Sequence, residues 1–273
     1  MMIELKEKDY YSNEHLKFLN TQKKKKYIIR SFQFGIIIFS LIIWELCALM
    51  NWLDPFLFSS PLRVMQTIIN LNNNGELWSN IGITMYETII GFILGTTIGI
   101  SLAIVLWWSN LISDITEPYL VVLNALPKVA LGPIIIVWVG AGMGSIIVMA
   151  LLISTIISII NILSGFRNVS PEKILLMKSF GATKFQILQK VIFPYNIPNM
   201  ISTLKINVGM SLIGVITGEF LVATKGIGYL IIYGGQVFKL DLVMTGIFIL
   251  STLAAIIYVF VAKLESIFNK KET

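Results

Sequence analysis

Apolar residues gather into six long blocks with little helical or strand periodicity: Phe32–Met50, Ile81–Trp107, Tyr119–Val139, Ile146–Leu163, Ile197–Val222 and Leu242–Val261. A helix that is apolar all round is buried in lipid or in a large core, and about 20 such residues cross a bilayer. The pattern therefore predicts an all-α membrane protein with six transmembrane helices. Two intervening stretches read differently. Pro61 to Leu71 is amphipathic and runs into Asn72-Asn73-Asn74-Gly75, which predicts a helix lying along the interface and stopping at a turn. Gly226-Ile227-Gly228-Tyr229 permits a tight turn, after which Leu230–Tyr233 is apolar enough to dip back as a short re-entrant helix.

The polar segment 164–195 between the fourth and fifth blocks carries clear helix punctuation. Ser170-Pro171 suits a helix start, because serine caps and proline fits the first helical position. A helix to about Phe180, a break at Gly181-Ala182 and a restart at Thr183-x-x-Gln186 follow, the last being a capping-box pattern. The second helix is expected to end at Pro194. Apolar Leu176, Phe180, Phe185 and Leu188 then stand beside lysines outside the bilayer, where they need cover.

Composition agrees with the blocks. Of 273 residues, 56% are hydrophobic and 13% charged, against roughly 45–50% and about 25% in soluble domains. A water-soluble globule and a disordered chain are both excluded. The net charge of +6 reads as a topology signal rather than a nucleic-acid surface, since eight of the 21 basic residues precede the first block. With both termini on one side, that side holds sixteen lysines and arginines and the other three. The positive-inside rule thus predicts cytoplasmic termini, residues 1–31 as a cytoplasmic tail and 164–195 as a cytoplasmic loop. The run Lys23–Lys26 is placed to meet anionic lipid. A single cysteine, Cys47, excludes an intrachain disulfide, and a single histidine, His15, in the polar N-terminal segment leaves no histidine-based metal site or Ser–His dyad.

The loop resembles the cytoplasmic signature of permease subunits of binding-protein-dependent ABC importers: Glu-Ala-Ala, three residues, Gly, nine residues, Ile, one residue, Leu-Pro. Here the frame is Leu175-Leu176-Met177, Gly181, Val191, Ile192 and Phe193-Pro194. Spacing, glycine and proline match, the Glu-Ala-Ala triplet does not, and the nearest acid, Glu172, stands three residues early. Further segments resemble the nitrate/sulfonate/taurine branch: Ser60-Pro61-Leu62, Gly75-Glu76-Leu77-Trp78, Gly91-Phe92, Leu126-Pro127-Lys128-Val129-Ala130-Leu131, Trp138-Val139-Gly140-Ala141-Gly142 and Lys225-Gly226-Ile227-Gly228-Tyr229-Leu230. Together they cover roughly residues 59–268, within a permease domain spanning 32–268.

The resemblance implies a type I ABC importer permease fold in the cell membrane and a subunit without catalysis of its own. A second permease copy would complete the pathway, two ATP-binding cassette subunits would dock on the loop, and an extracytoplasmic binding protein would deliver solute. ATP and Mg would sit on the ATPase, consistent with the lack of a G-x-x-x-x-G-K-[ST] loop in this sequence. The docking residues would be Glu172, Leu176, Met177, Phe180, Gly181, Ala182, Phe185, Leu188 and Pro194, with Gly181 as pivot.

Lysine inside a span costs about 2.5–3.5 kcal/mol on insertion scales and faces protein or water. Lys128, between Pro127 and Val129 in the third block, is a candidate for attracting anionic solute; a structural pairing with Glu87 or Glu219 is the alternative. Asn124, Asn207, Ser211 and Glu219 complete the candidate pathway set, with interhelical hydrogen bonding the default for Asn207 and Ser211. Gly91, Gly95 and Gly99 recur every four residues, which lets helices approach closely. Three other readings compete: import of an aromatic vitamin or thiamine precursor by the same mechanism, an ion-coupled transporter using Glu45, Glu87 and Glu219, and an intramembrane enzyme. The last is opposed by the lack of an intramembrane histidine and of a base near Gly142-Met143-Gly144-Ser145.

Overall fold

The computed structural model describes residues 13–269. Lys6 and Lys8 of the basic segment, and Lys270 and Lys271, lie outside the described residues. The chain divides into two compact units, residues 1–65 and 66–273.

In the first unit, α1 (Asn13–Leu49) is one continuous helix, so the expected tail is helical from Asn13 into the first apolar block. Its last turns are tied locally: Glu45 accepts from the Leu62 N–H at 3.0 Å. A short α2 (Pro55–Phe58) is capped by Asp54, which accepts from Phe56 N–H at 2.8 Å.

The amphipathic stretch forms a helix, α3 (Pro61–Asn73), and the chain turns at Gly75, whose φ of +74° suits glycine. The second unit is then built on α4 (Glu76–Trp108), the broken pair α5 (Asn110–Ala125) and α6 (Gly132–Val139), α7 (Met143–Arg167), α10 (Phe193–Val222) and α12 (Leu240–Asn269). The loop carries α8 (Pro171–Ser179) and α9 (Lys184–Ile187), and α11 (Ile227–Gln236) is the short helix before α12. Among the described residues five helices are long and apolar enough to cross a membrane, or six if the bent pair is one span.

Small residues decide that count. A Cβ on Gly91, Gly95 or Gly99 of α4 would strike Ala150, Ser154 or Ser158 of α7 respectively. Both partners advance four residues together, so α4 and α7 run parallel and in close contact. On α10, Gly214 abuts the Ala150 backbone and Gly218 abuts Ile146, which makes α10 antiparallel to α7. Parallel α4 and α7 require the chain between them to return across the bundle. It does: near the start of α5, Ser113 and Glu117 bind Arg167 at the end of α7, while Gly132 at the start of α6 abuts Leu221 near the far end of α10. The bent pair is therefore one crossing, and the count is six.

That third span departs from a straight helix. Its two halves meet at 90° around Leu126-Pro127. Leu126 is extended (ψ 137°), as a residue before proline prefers, and Lys128–Leu131 forms a 3-10 turn before α6. Lys128 thus lies at the corner of the broken span, beside Pro127.

Candidate functional site: the loop, the bend and the buried polar ladder

The loop hairpin forms much as its sequence demands. α8 ends in a Schellman motif: Gly181 N–H donates to Lys178 O at 2.9 Å and Ala182 N–H to Met177 O at 3.0 Å. Gly181 has φ +76°, and an added Cβ would meet nothing within 4 Å, so backbone conformation alone calls for glycine here. Thr183 then caps α9 by a full capping box, its Oγ1 accepting from Gln186 N–H while Gln186 Oε1 accepts from Thr183 N–H at 2.8 Å. Ser170 behaves differently from expectation. Its hydroxyl donates to the Glu172 carboxylate rather than capping the backbone, and that bond holds Glu172 below the ordinary glutamate range.

The predicted docking residues separate into two groups. Leu176, Phe180 and Phe185 are 57%, 78% and 60% exposed, with Leu175 beside them at 68%. Glu172, Gly181 and Pro194 are also exposed, and Met177 and Ala182 are half-buried. Leu188 is a correction. It is buried in a cluster with Ala103, Leu106, Ile162, Phe166 and Ile192, so it roots the hairpin in the bundle rather than facing a partner. The expected stop at Pro194 is also corrected. A π-helical turn over Leu188–Ile192 carries α9 directly into α10, and Pro194 follows immediately after that turn.

At the bend, Lys128 is half-buried and its Nζ donates to Asn124 O at 2.8 Å. Neither Glu87 nor Glu219 pairs with it: both are buried among α4, α10 and α11. Asn124 is exposed one turn away.

The other three candidate pathway residues lie inside the bundle of a single chain. Asn207 is fully buried, donating to Thr96 Oγ1 at 3.1 Å and to Ser158 Oγ, which joins α10 to α4 and α7. Ser211, one turn on, is equally buried. Glu219 accepts from Thr84 Oγ1 at 2.6 Å and from Gly228 N–H, the latter in the first turn of α11. Beside it, Gly226 N–H donates to Asn80 Oδ1 at 2.7 Å and Ile227 N–H to Thr84 Oγ1 at 2.9 Å. These side chains face packed helices within the chain: Asn207 and Glu219 bond to neighbouring helices, whereas Ser211 Oγ and Asn207 Oδ1 are buried without a hydrogen-bond partner. Gly226 and Gly228 also pack so closely on the Glu219 carboxyl that a Cβ on either would collide with it.

Asn80 and Thr84 escaped the sequence reading as functional positions. A signal existed: Asn80, Thr84, Glu87, Gly91, Gly95 and Gly99 recur at three- or four-residue spacing on one face of α4, and all are buried. Their partners on α10 and α11 carry no comparable local mark. Arg167, at the end of α7, gathers Glu117 at 2.9 Å, Ser113 at 2.8 Å and Asp114 at 3.5 Å, partners that its own stretch of sequence does not name. Among the described residues no group of three metal-ligating side chains is present.

Comparison with known proteins places this arrangement. Residues 95–270 match the model of the family described as "Binding-protein-dependent transport system inner membrane component". A "Probable ABC transporter permease protein" of Haemophilus influenzae is 31% identical over 218 residues, covering 80% of this chain and 88% of that protein. The formylaminopyrimidine transport permease protein of Halalkalibacterium halodurans is 29% identical, covering 83% and 90%. The taurine transport system permease protein of Escherichia coli is 23% identical, covering 78% and 80%. Among solved structures, a bacterial ABC transporter involved in alginate import superposes with a TM-score of 0.65 at 13% identity, over 91% of this chain and 98% of that one. The inward-facing MetNI methionine transporter gives 0.57 at 17% identity, over 70% and 93%.

Proposed function

The chain belongs to the family of binding-protein-dependent transport system inner membrane components, and from that premise we propose how its parts work. It is a multi-pass permease subunit of an ABC importer. Two copies enclose the pathway, a pair of separate ATPase subunits grips the loop hairpins, and an extracytoplasmic binding protein delivers solute at the opposite end. Both termini and the loop lie in the cytoplasm.

The observation that carries this reading is the exposed apolar ridge of Leu175, Leu176, Phe180 and Phe185 on a hairpin rich in lysine. At the basic, aqueous end of a membrane protein such a ridge needs a protein partner. Its root is buried and its crest is bare, which is what a lever requires. When the ATPases close, the hairpins would be drawn together and the spans would rock as rigid bodies between inward- and outward-facing states. ATP and Mg belong to the partner, and this chain supplies no catalytic group.

For the solute we infer a small organic molecule bearing a sulfonate group, of the sulfonate or taurine class. Lys128 supports this: it stands at the 90° bend with a backbone carbonyl as its hydrogen-bond partner, and exposed Asn124 lies one turn away. A relative named for taurine agrees. A relative named for formylaminopyrimidine supports the vitamin-precursor alternative, which the lysine does not favour.

The deciding experiment is purification of the tagged full chain from its native membrane. An ATPase subunit is expected to co-purify, and vesicles holding the whole assembly should accumulate taurine only with ATP. Accumulation by vesicles holding this polypeptide alone, without nucleotide, would overturn the reading in favour of a secondary transporter.

A further inference from the structure

Lysine at the first position of a helix is electrostatically misplaced, because the N-terminal end of the helix already carries partial positive charge. Lys184 opens α9 in that position. Its side chain explains the choice, since it leaves its own helix and reaches the C-terminal end of α4. There Nζ donates to Trp108 O at 2.5 Å and stands 5.7 Å from the Trp107 ring centroid and 5.6 Å from that of Trp108. The two indoles meet edge to face, their centroids 6.3 Å apart, and form an aromatic corner around the ammonium.

The end of α4 needs such a partner. Its last turn contains no basic residue of its own, and the last carbonyls of any helix lack intrahelical donors. A cation at that point meets a free carbonyl, the negative end of the helix and two π-faces together. The remaining link between the hairpin and α4 is apolar: Ala103 and Leu106 share a buried cluster with Ile187, Leu188 and Ile192. Apolar contacts are non-directional and permit sliding, whereas a hydrogen bond to one carbonyl fixes register.

We propose that Lys184 is a positioning residue that clasps the docking hairpin to the end of α4, so that α4 moves with the hairpin when the ATPases act on it. The π-helical turn at Leu188–Ile192 already joins the hairpin covalently to α10. The clasp adds the second span by a non-covalent tie, 76 residues away in sequence. Since α4 is locked to α7 through Gly91, Gly95 and Gly99, one push on the hairpin would then reach three spans at once. This rests on the hairpin being the ATPase-docking element.

The test measures the hairpin-to-α4 distance directly and needs no known solute. In the full chain with Cys47→Ser, nitroxides are placed at Ser101→Cys on α4 and Ser179→Cys at the end of α8, both exposed. One labelled copy is diluted among unlabelled copies in the assembled transporter, and electron–electron distances are read with and without ATP plus vanadate. With Lys184 intact, one narrow distance is expected in both states. Lys184→Met should broaden the distribution at least twofold and make its mean change with nucleotide, while Lys184→Arg restores the narrow form. Replacing Trp107 and Trp108 by leucine removes the two ring faces but keeps the Trp108 backbone carbonyl, so it should broaden the distribution less than Lys184→Met does, and adding Lys184→Met should bring it to the methionine width. A distribution in Lys184→Met as narrow as the parent's would overturn the clasp. So would loss of ATPase capture by that variant, which would make Lys184 a docking residue instead. If the unmutated chain captures no ATPase, the docking reading fails, and the nucleotide-free distances still decide the clasp.

Discussion

The two ends of the helical bundle are built on opposite principles. At the end where α11 begins, Asn80, Thr84 and Glu219 meet the backbone of residues 226–228 in a buried hydrogen-bonded knot drawn from three helices. At the other end, the hairpin leaves Leu175, Leu176, Phe180 and Phe185 in the open and buries only its root. At the first end the polar groups of the knot find their partners within the chain, although one turn on Glu87 Oε2 is buried without one. The second leaves apolar groups for something outside it. A machine that receives force at one end needs a surface there that is incomplete alone, and a rigid body behind it to carry the motion.

The contrast can be broken hardest at Glu219. Glu219→Ala leaves the Thr84 hydroxyl and the Gly228 N–H buried without their acceptor, and should cost about 3 kcal/mol from two stranded groups. The loss would appear as a lower unfolding midpoint in detergent, with poor assembly as a consequence. Glutamine keeps one acceptor oxygen but turns an NH2 toward the other donor, so it should recover only about half of the loss.

At the opposite end the same logic predicts function lost with little stability. Gly181→Val forces a β-branched residue to φ +76°, at about 1–2 kcal/mol, and should unwind the hairpin turn. Capture of the ATPase should fall at least tenfold while membrane insertion is kept; normal coupling of transport to ATP hydrolysis in this variant would remove Gly181 as pivot. Phe180→Ser removes an exposed ring and should change stability by no more than about 0.5 kcal/mol, yet weaken the same capture several-fold. An unchanged pull-down would show that the ridge is not the contact.

The smallest effect concerns pH. The Ser170 hydroxyl favours the ionised form of Glu172, so its carboxylate titrates below the ordinary value. That stabilisation of the start of α8 is fully present above the unfolded-chain value and is lost as pH falls through the lower folded one. Ser170→Ala should move the titration upward toward the ordinary range, which NMR of the side-chain carboxyl can follow.

Much of the architecture could be read from the chain. Block length and the lysine count gave six crossings, Gly75 and Gly181 marked turns, and Thr183-x-x-Gln186 formed the capping box its spacing announced. What escaped depended on partners far along the chain. Leu188 reads like Phe185 beside it, but with Ile187 and Ile192 it joins a cluster whose other members come mostly from α4 and α7. Interhelical bonding is the default expectation for Asn207 and Ser211, but the sequence does not name their neighbours: Thr96 and Ser158 for Asn207, Thr84 and Gly228 for Glu219. Lys184 reads as one more loop lysine, because nothing near it in sequence names Trp108.

Hydropathy, helix caps and turn glycines act over a few residues or sum along a block, so the amino-acid order alone located the apolar blocks and the turn and caps of the hairpin. Whether a polar side chain inside the bilayer faces solute or a neighbouring helix depends on how helices rotate about their axes and which ones meet. That is set by steric fit between surfaces such as Gly95 and Ser154, a relation between distant segments, and only the folded structure decided it.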